Sequence, residues 1–221
     1  MNCAVLLCGC GHMDGSEIRE AVLALLALDS YGINVTCCAP NIKQVDVVDH
    51  LSGSTLKEER DIMSESARIA RGNVVDLKDI SPNDFDMLIL PGGFGVAKNY
   101  SDILKGESPV NVLEEVKQTI VKFHKEKKAI GAICIAPAIV AASLSSVSKV
   151  KVTLGEDVDS IISRCGGEHV FCETDDYVAD IDMGVFSTPA YMRKDSLHKI
   201  HVGIHKMVGA MVDFVKKKEQ L

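Results

Sequence analysis

Residues Ala129–Ile133 form an apolar run that ends directly on Cys134, and Ile135-Ala136-Pro137 opens a helix immediately behind it. Small residues stand two positions before and two positions after the cysteine, at Ala132 and Ala136. A buried strand, a sharp turn bearing a nucleophile and a helix with small flanking residues make a nucleophile elbow. Such an elbow restricts the fold to strands that feed helices. Pro137 suits the first helical turn, where a backbone N–H has no intrahelical partner. The helix start also aims unpaired N–H groups at the sulfur, so Cys134 is expected to be a low-pKa thiolate. The plain alternative is an inert buried cysteine.

The rest of the chain alternates in the same way. Strands are predicted over Asn2–Cys8, Ile33–Ala39, Val74–Leu77, Phe85–Leu90, Ala129–Ile133 and Val150–Leu154, with strand-like pieces over Val170–Cys172, Tyr177–Asp180 and Val185–Thr188. Helices are predicted over Ser16–Tyr31, Leu56–Arg71, Val110–Lys127, Asp157–Arg164 and Lys194–Lys217, with one from the elbow to Leu144. Asn41–Thr55 reads as a long irregular segment suited to a lid or an interface. Alternation of this kind implies α/β architecture with a mostly parallel sheet covered on both faces. Residues 1–221 are expected to form a single domain, since 221 residues, 47% of them hydrophobic, suffice for one substantial core.

The formal net charge of −7 comes without a basic stripe, and there are no tryptophans to stack bases on. Nucleic acid is therefore excluded as an expected partner. No apolar run is long enough to span a bilayer, and Met1-Asn2-Cys3-Ala4-Val5 reads as a first strand rather than a targeting segment. A cytoplasmic protein without a membrane partner is expected. The eight cysteines are read as free thiols, with Cys3, Cys37 and Cys38 as buried small hydrophobes and the last two on opposite faces of one strand.

Chemistry is expected at the carboxyl ends of the parallel strands. Asp14 and Glu17 have the spacing of a capping box, Asp14 at N-cap and Glu17 at N3. Glu20 lies one turn beyond and follows no capping rule. Near a sulfur its carboxyl would be raised in pKa and could hand over a proton; otherwise it is a solvated helix residue. Pro91-Gly92-Gly93 could expose consecutive N–H donors, and Gly92, Gly93 and Ile135 are the candidate oxyanion or substrate-binding groups. A phosphate loop is a weaker reading, because no Gly-Lys-Ser/Thr follows. His198, His201 and His205 share a helix face, and Cys8-Gly9-Cys10-Gly11-His12 is cysteine-rich. Neither completes a metal signature, and no metal is expected. His12 or His169 could still approach Cys134 in space.

Six stretches together resemble one family. They are Asp14-Gly15-Ser16-Glu17-Ile18-Arg19-Glu20-Ala21, Ala39-Pro40 with Gln44-Val45-Asp46-Val47, Glu65-Ser66-Ala67-Arg68-Ile69-Ala70-Arg71-Gly72, Pro91 through Asn99, Cys134-Ile135-Ala136-Pro137 and Thr188-Pro189-Ala190-Tyr191-Met192. In this order the chain resembles the ElbB-like group (enhancing lycopene biosynthesis, also called ES-one) of the PfpI/deglycase superfamily, which has a class I glutamine amidotransferase-like fold. The resemblance implies a flavodoxin-like three-layer α/β sandwich and a homodimer. It also implies Cys134 as the reactive cysteine, with Glu20, or Glu17 as the close alternative, hydrogen-bonded to it.

Many superfamily members carry a histidine after the strand that follows the elbow. Here Val150–Leu154 is followed by Gly155-Glu156. The late His-x-Glu of glutamine amidotransferases is also missing, since His169 and Glu173 are too far apart in sequence. A thiolate with a carboxylic acid, and no histidine, suits a cofactor-free glyoxalase-like enzyme that converts glyoxal or methylglyoxal to a hydroxy acid. The expected partner is thus a small carbonyl substrate. The alternative is a redox- or stress-responsive, or isoprenoid-pathway regulatory, protein with little turnover. A hydrolase or amidase is the third reading.

Overall fold

The computed structural model describes residues 1–157 and 159–218; Val158, within one predicted helix, and residues 219–221 lie outside the described residues. In chain order the strands and helices are β1 (Asn2–Leu6), α1 (Ile18–Ser30), β2 (Asn34–Ala39), β3 (Val47–Val48), β4 (Thr55–Leu56), α2 (Ile62–Ile69), β5 (Val74–Asp76), β6 (Met87–Leu90), α3 (Phe94–Tyr100), α4 (Glu114–Lys125), β7 (Ala129–Ile133), α5 (Ala136–Leu144), β8 (Lys151–Val152), α6 (Ile161–Arg164), β9 (Glu168–His169), β10 (Val178–Asp180), β11 (Val185–Thr188) and α7 (Leu197–Lys218).

The central sheet has the order β10-β11-β7-β6-β1-β2-β5. All neighbours in it are parallel except β10 and β11. Its strands are apolar on both faces because both faces are covered. In β1, Cys3 and Val5 enter one core while Ala4 and Leu6 enter the other. Cys37 and Cys38 divide in the same way, as their adjacency in a strand requires. Helices α1 and α7 supply the layer on one face, and α3, α4 and α5 the layer on the other.

The local sequence explains these layers. Helix α4 turns Val116, Ile120 and Phe123 inward and ends in Lys122, His124 and Lys125, the charge its C-terminal dipole favours. Helix α5 is buried on every side and is accordingly apolar but for Ser143, whose hydroxyl donates to the Ile139 carbonyl (2.7 Å). All eight cysteines are free.

The chain runs from β1 outward through β2 to β5, then returns to β6, β7 and β11 on the other side of β1. The topological switch point therefore lies between β1 and β6, where ligands bind in open α/β sheets. The loops that leave these two strands are Leu7–Glu17 and Pro91–Gly93, and the elbow leaves the adjacent β7.

Several sequence expectations need correction. The helix predicted over Leu56–Arg71 is α2, Ile62–Ile69, because Leu56 pairs with Val47 in the β3–β4 hairpin. The segment expected to be irregular, Asn41–Thr55, is so for the most part, and only Val47, Val48 and Thr55 within it pair as strand, in the β3–β4 hairpin. Val170–Cys172 is not a strand; Glu168–His169 pairs instead with Lys151–Val152 in a separate two-stranded sheet. Phe94–Tyr100 forms a helix that the glycine-rich sequence concealed. Among the described residues no helix is long and apolar enough to cross a membrane.

Candidate active site

Cys134 sits between β7 and α5 with a left-handed φ of +63°, the strained turn of an elbow. Its N–H donates to the Thr188 carbonyl (3.0 Å), which ties the turn to β11. The residue is only 8% exposed. Gly92 lies against it so closely that a Cβ there would fall 2.5 Å from the Cys134 Cβ and 2.8 Å from Glu20 Oε2. The glycine is thus a requirement of close approach between the two loops.

Glu20, on the first turn of α1, is fully buried. Its Oε2 accepts the Gly92 N–H (2.9 Å) and its Oε1 accepts the Tyr191 N–H (3.3 Å), and the carboxyl lies beside the Cys134 side chain, near enough for each group to shift the other. Burial, and then the nearby Glu17 carboxylate, push the Glu20 carboxyl up to about 8, against the opposing pull of these hydrogen bonds. Of the two candidate acids, the structure brings Glu20 to the sulfur. The solvated-face reading of Glu20 does not hold.

Glu17 has another place. It is the N-cap of α1: its Oε2 accepts the Glu20 N–H (2.7 Å), and its own N–H donates to the Gly92 carbonyl (2.8 Å). The predicted capping box, with Asp14 at N-cap and Glu17 at N3, is therefore three residues out of frame. Asp14 is engaged elsewhere, since its buried carboxylate accepts the Val48 N–H (2.8 Å) and so fastens the β3–β4 hairpin beside the site. The helix begins only after this loop has turned.

The sulfur is not the low-pKa thiolate expected from the helix start. Burial, followed by the charge and hydrogen bond of Glu20, raises the Cys134 thiol well above its usual value. The N–H groups of Gly93 and Ile135 at the sulfur pull the other way and lose. These two N–H groups are the donors an anion at the sulfur would meet. Gly92 is not one of them, because its N–H is already held by Glu20.

A cavity of about 800 Å³ opens over Cys134, and its walls include Glu17, Arg19, Gly93, Ile135 and Tyr191. His12 and His50 also line it, with ring centroids 5.2 Å apart. Both nitrogens of His50 face backbone groups: Nδ1 lies 3.0 Å from the Val48 carbonyl, and Nε2 accepts the Met13 N–H (3.3 Å). His169 lies on β9 and does not line the cavity. On α7, His205 stacks on Tyr31 (5.2 Å). Among the described residues no three His, Cys, Asp or Glu side chains gather in a metal-holding arrangement.

Sequence reasoning assigned no role to Tyr191, Arg19 or His50. Ala190, with a left-handed φ of +44°, turns the Tyr191 N–H onto Glu20, and the Tyr191 hydroxyl accepts a hydrogen bond from Arg19 Nη1 (3.1 Å). The available signal was Thr188-Pro189-Ala190-Tyr191-Met192, a proline-bearing turn at the carboxyl edge of β11.

The sequence matches the DJ-1/PfpI family over residues 6–170. A crystal structure of an isoprenoid biosynthesis protein with amidotransferase-like domain from Ehrlichia chaffeensis superposes with a TM-score of 0.94 at 49% identity, over 97% of this chain and 99% of that one. The human glutamine amidotransferase-like class 1 domain-containing protein 3, mitochondrial, is 37% identical over 97% of this chain and 83% of its own length. The rat ES1 protein homolog, mitochondrial, is 36% identical over 97% of this chain and 84% of its own length.

Proposed function

This chain belongs to the DJ-1/PfpI family, and on that premise we propose that it is a cysteine-dependent, cofactor-free glyoxalase-like enzyme of the ElbB-like branch. The observation that carries the reading is the buried contact between Cys134 and a Glu20 carboxyl raised to about 8. Such an acid can both take and return a proton near neutral pH. The likeness to the Ehrlichia chaffeensis protein and to the rat protein named ES1 supports the ElbB-like placement.

The reaction needs no redox partner. Glu20 takes the thiol proton as the sulfur attacks the aldehyde carbon of a 2-oxoaldehyde, and the new oxyanion meets the N–H groups of Gly93 and Ile135. Glu20 returns a proton to that oxygen, which completes a hemithioacetal. The carboxylate then removes the C1 proton and delivers one to C2. C1 is thereby oxidised to a thioester and C2 reduced to an alcohol. Water cleaves the thioester, releasing the 2-hydroxy acid and the free thiol.

The test is to supply glyoxal or methylglyoxal to the purified protein and follow glycolate or lactate. Turnover that Cys134→Ser abolishes is expected; none above that control overturns the reading for these substrates. An isoprenoid-pathway role is the second reading, favoured by the description of the Ehrlichia chaffeensis protein. The other alternative, a redox- or stress-responsive protein, is weakened by a thiol that burial raises well above its usual value. A cytoplasmic location is proposed from the sequence, whereas the human and rat relatives are named as mitochondrial; fractionation of the source cells decides.

A further inference from the structure

The cavity over Cys134 is far larger than the chemistry at its floor requires. At about 800 Å³ it has room for roughly two dozen waters. Its size falls in the range of pockets that enclose drug-sized ligands. Methylglyoxal, a three-carbon compound, would leave most of it filled with solvent.

The walls show what could fill it. Six apolar side chains from separate segments converge there: Ile18 of α1, Phe94 of α3, Leu104 of the turn after α3, Ile135 of the elbow, Ile161 of α6 and Met192 of the turn after β11. Four of them are solvent-exposed to an extent unusual for large apolar side chains, Ile18 at 44%, Phe94 at 56%, Leu104 at 57% and Met192 at 36%. Scattered apolar residues on a surface need no explanation, but convergence of several on one concave site marks a ligand surface. The occupant must also reach Cys134, a buried residue that lines this cavity. A slender molecule can do this, whereas a protein surface cannot.

We infer that the cavity holds a hydrocarbon tail, so that the substrate is a 2-oxoaldehyde bearing an apolar chain of about eight carbons or more, its aldehyde carbon at Cys134 and its tail along Phe94, Leu104, Ile161 and Met192. This rests on the glyoxalase-like reading for the chemistry but on the cavity alone for the tail. The chain is recognised by burial of apolar area, which strengthens with each added methylene until the cavity is full.

Two series separate the inferences. In the first, Cys134 is alkylated with N-methyl, N-butyl and N-octyl iodoacetamide below their micellar concentrations, with rates read by intact mass and divided by those for free N-acetylcysteine. The normalised rate is expected to rise about tenfold or more from methyl to octyl, and Leu104→Glu is expected to bring the ratio back towards one. Leu104 is exposed, so the variant should fold; Leu104→Ser repeats the test with a smaller side chain. A flat or falling series overturns the tail site, as does a preference that both variants leave intact. In the second, turnover of 2-oxoaldehydes of increasing chain length is measured, and KM is expected to fall with length. A chain-length preference in alkylation with no turnover of any aldehyde overturns the glyoxalase reading and leaves the tail site standing. Turnover of methylglyoxal with no chain-length response in either series overturns the tail site and leaves the glyoxalase reading standing.

Discussion

At Cys134 two influences oppose each other, and the distinction fixes how the residue reacts. The Gly93 and Ile135 N–H groups favour the thiolate, while burial and Glu20 favour the thiol and prevail. The two groups titrate jointly, with the Glu20 carboxyl pushed up to about 8 and the thiol raised well above its usual value. Alkylation of Cys134 should therefore still be climbing at pH 8, rather than having levelled off by pH 7. Glu20→Gln removes a charge that raises the thiol, so its alkylation profile should move to lower pH even though proton transfer in turnover is lost. A wild-type profile flat from pH 6 upward, or an upward shift in the variant, would contradict this assignment. Cys134 was legible in the sequence because the elbow is a local pattern. Glu20 was legible only as one of two acids, since choosing between it and Glu17 needs the direction of the first helical turn. That Gly92 gives its N–H to Glu20, leaving Gly93 as the donor, could not be read from a Gly-Gly pair, because both offer the same group to an unknown partner.

The elements differ in how far local sequence decides them. Strands β1, β6 and β7 are continuous apolar runs covered on both faces, and their existence follows from composition. Helix α2 begins later than its periodicity suggests because hairpin pairing claims Leu56, a long-range contact that propensity does not contain. Helix α3 was hidden because Pro91-Gly92-Gly93 reads as loop, although the helix starts on the next residue, Phe94. Helix α1 is the element on which the site depends, and its N-terminus starts where Glu17, not Asp14, caps it. Glu17→Ala should destabilise the protein by about 1 kcal/mol through loss of the cap. The same change deletes a carboxylate that raises Glu20, so the limb of the pH–rate profile near pH 8 should move down. Activity should survive, in contrast to its loss in Glu20→Ala. Chemical denaturation and kcat against pH together check this, and equal loss of activity in both variants would return Glu17 to the catalytic position.

For the whole molecule, the site at the switch point means that a fold able to bury apolar strands completely has also buried an ionisable acid, and that burial opposes stability over a defined pH range. Unfolded, Glu20 titrates near the ordinary glutamate value of about 4.3; folded, it titrates at about 8. Below the lower value both states hold the proton and the group has no effect. Between the two values only the folded state holds it, so each rise in pH favours unfolding, by at most about 1.4 kcal/mol per unit. Above the upper value the penalty is complete and constant. Other carboxylates set their own slopes, so the readout is a difference. The free energy of unfolding of wild type minus that of Glu20→Gln, from urea titrations at pH 5, 6, 7 and 8, should become steadily less favourable to wild type as pH rises. The variant carries its own offset, because a glutamine amide cannot accept from both the Gly92 and Tyr191 N–H groups and leaves one unpaired at a cost of about 1–3 kcal/mol. That offset is independent of pH in this range, so it displaces the difference curve without tilting it. A flat difference between pH 5 and 8 would mean that Glu20 ionises normally in the folded protein, and with it the proton-transfer role assigned to Glu20 would fail.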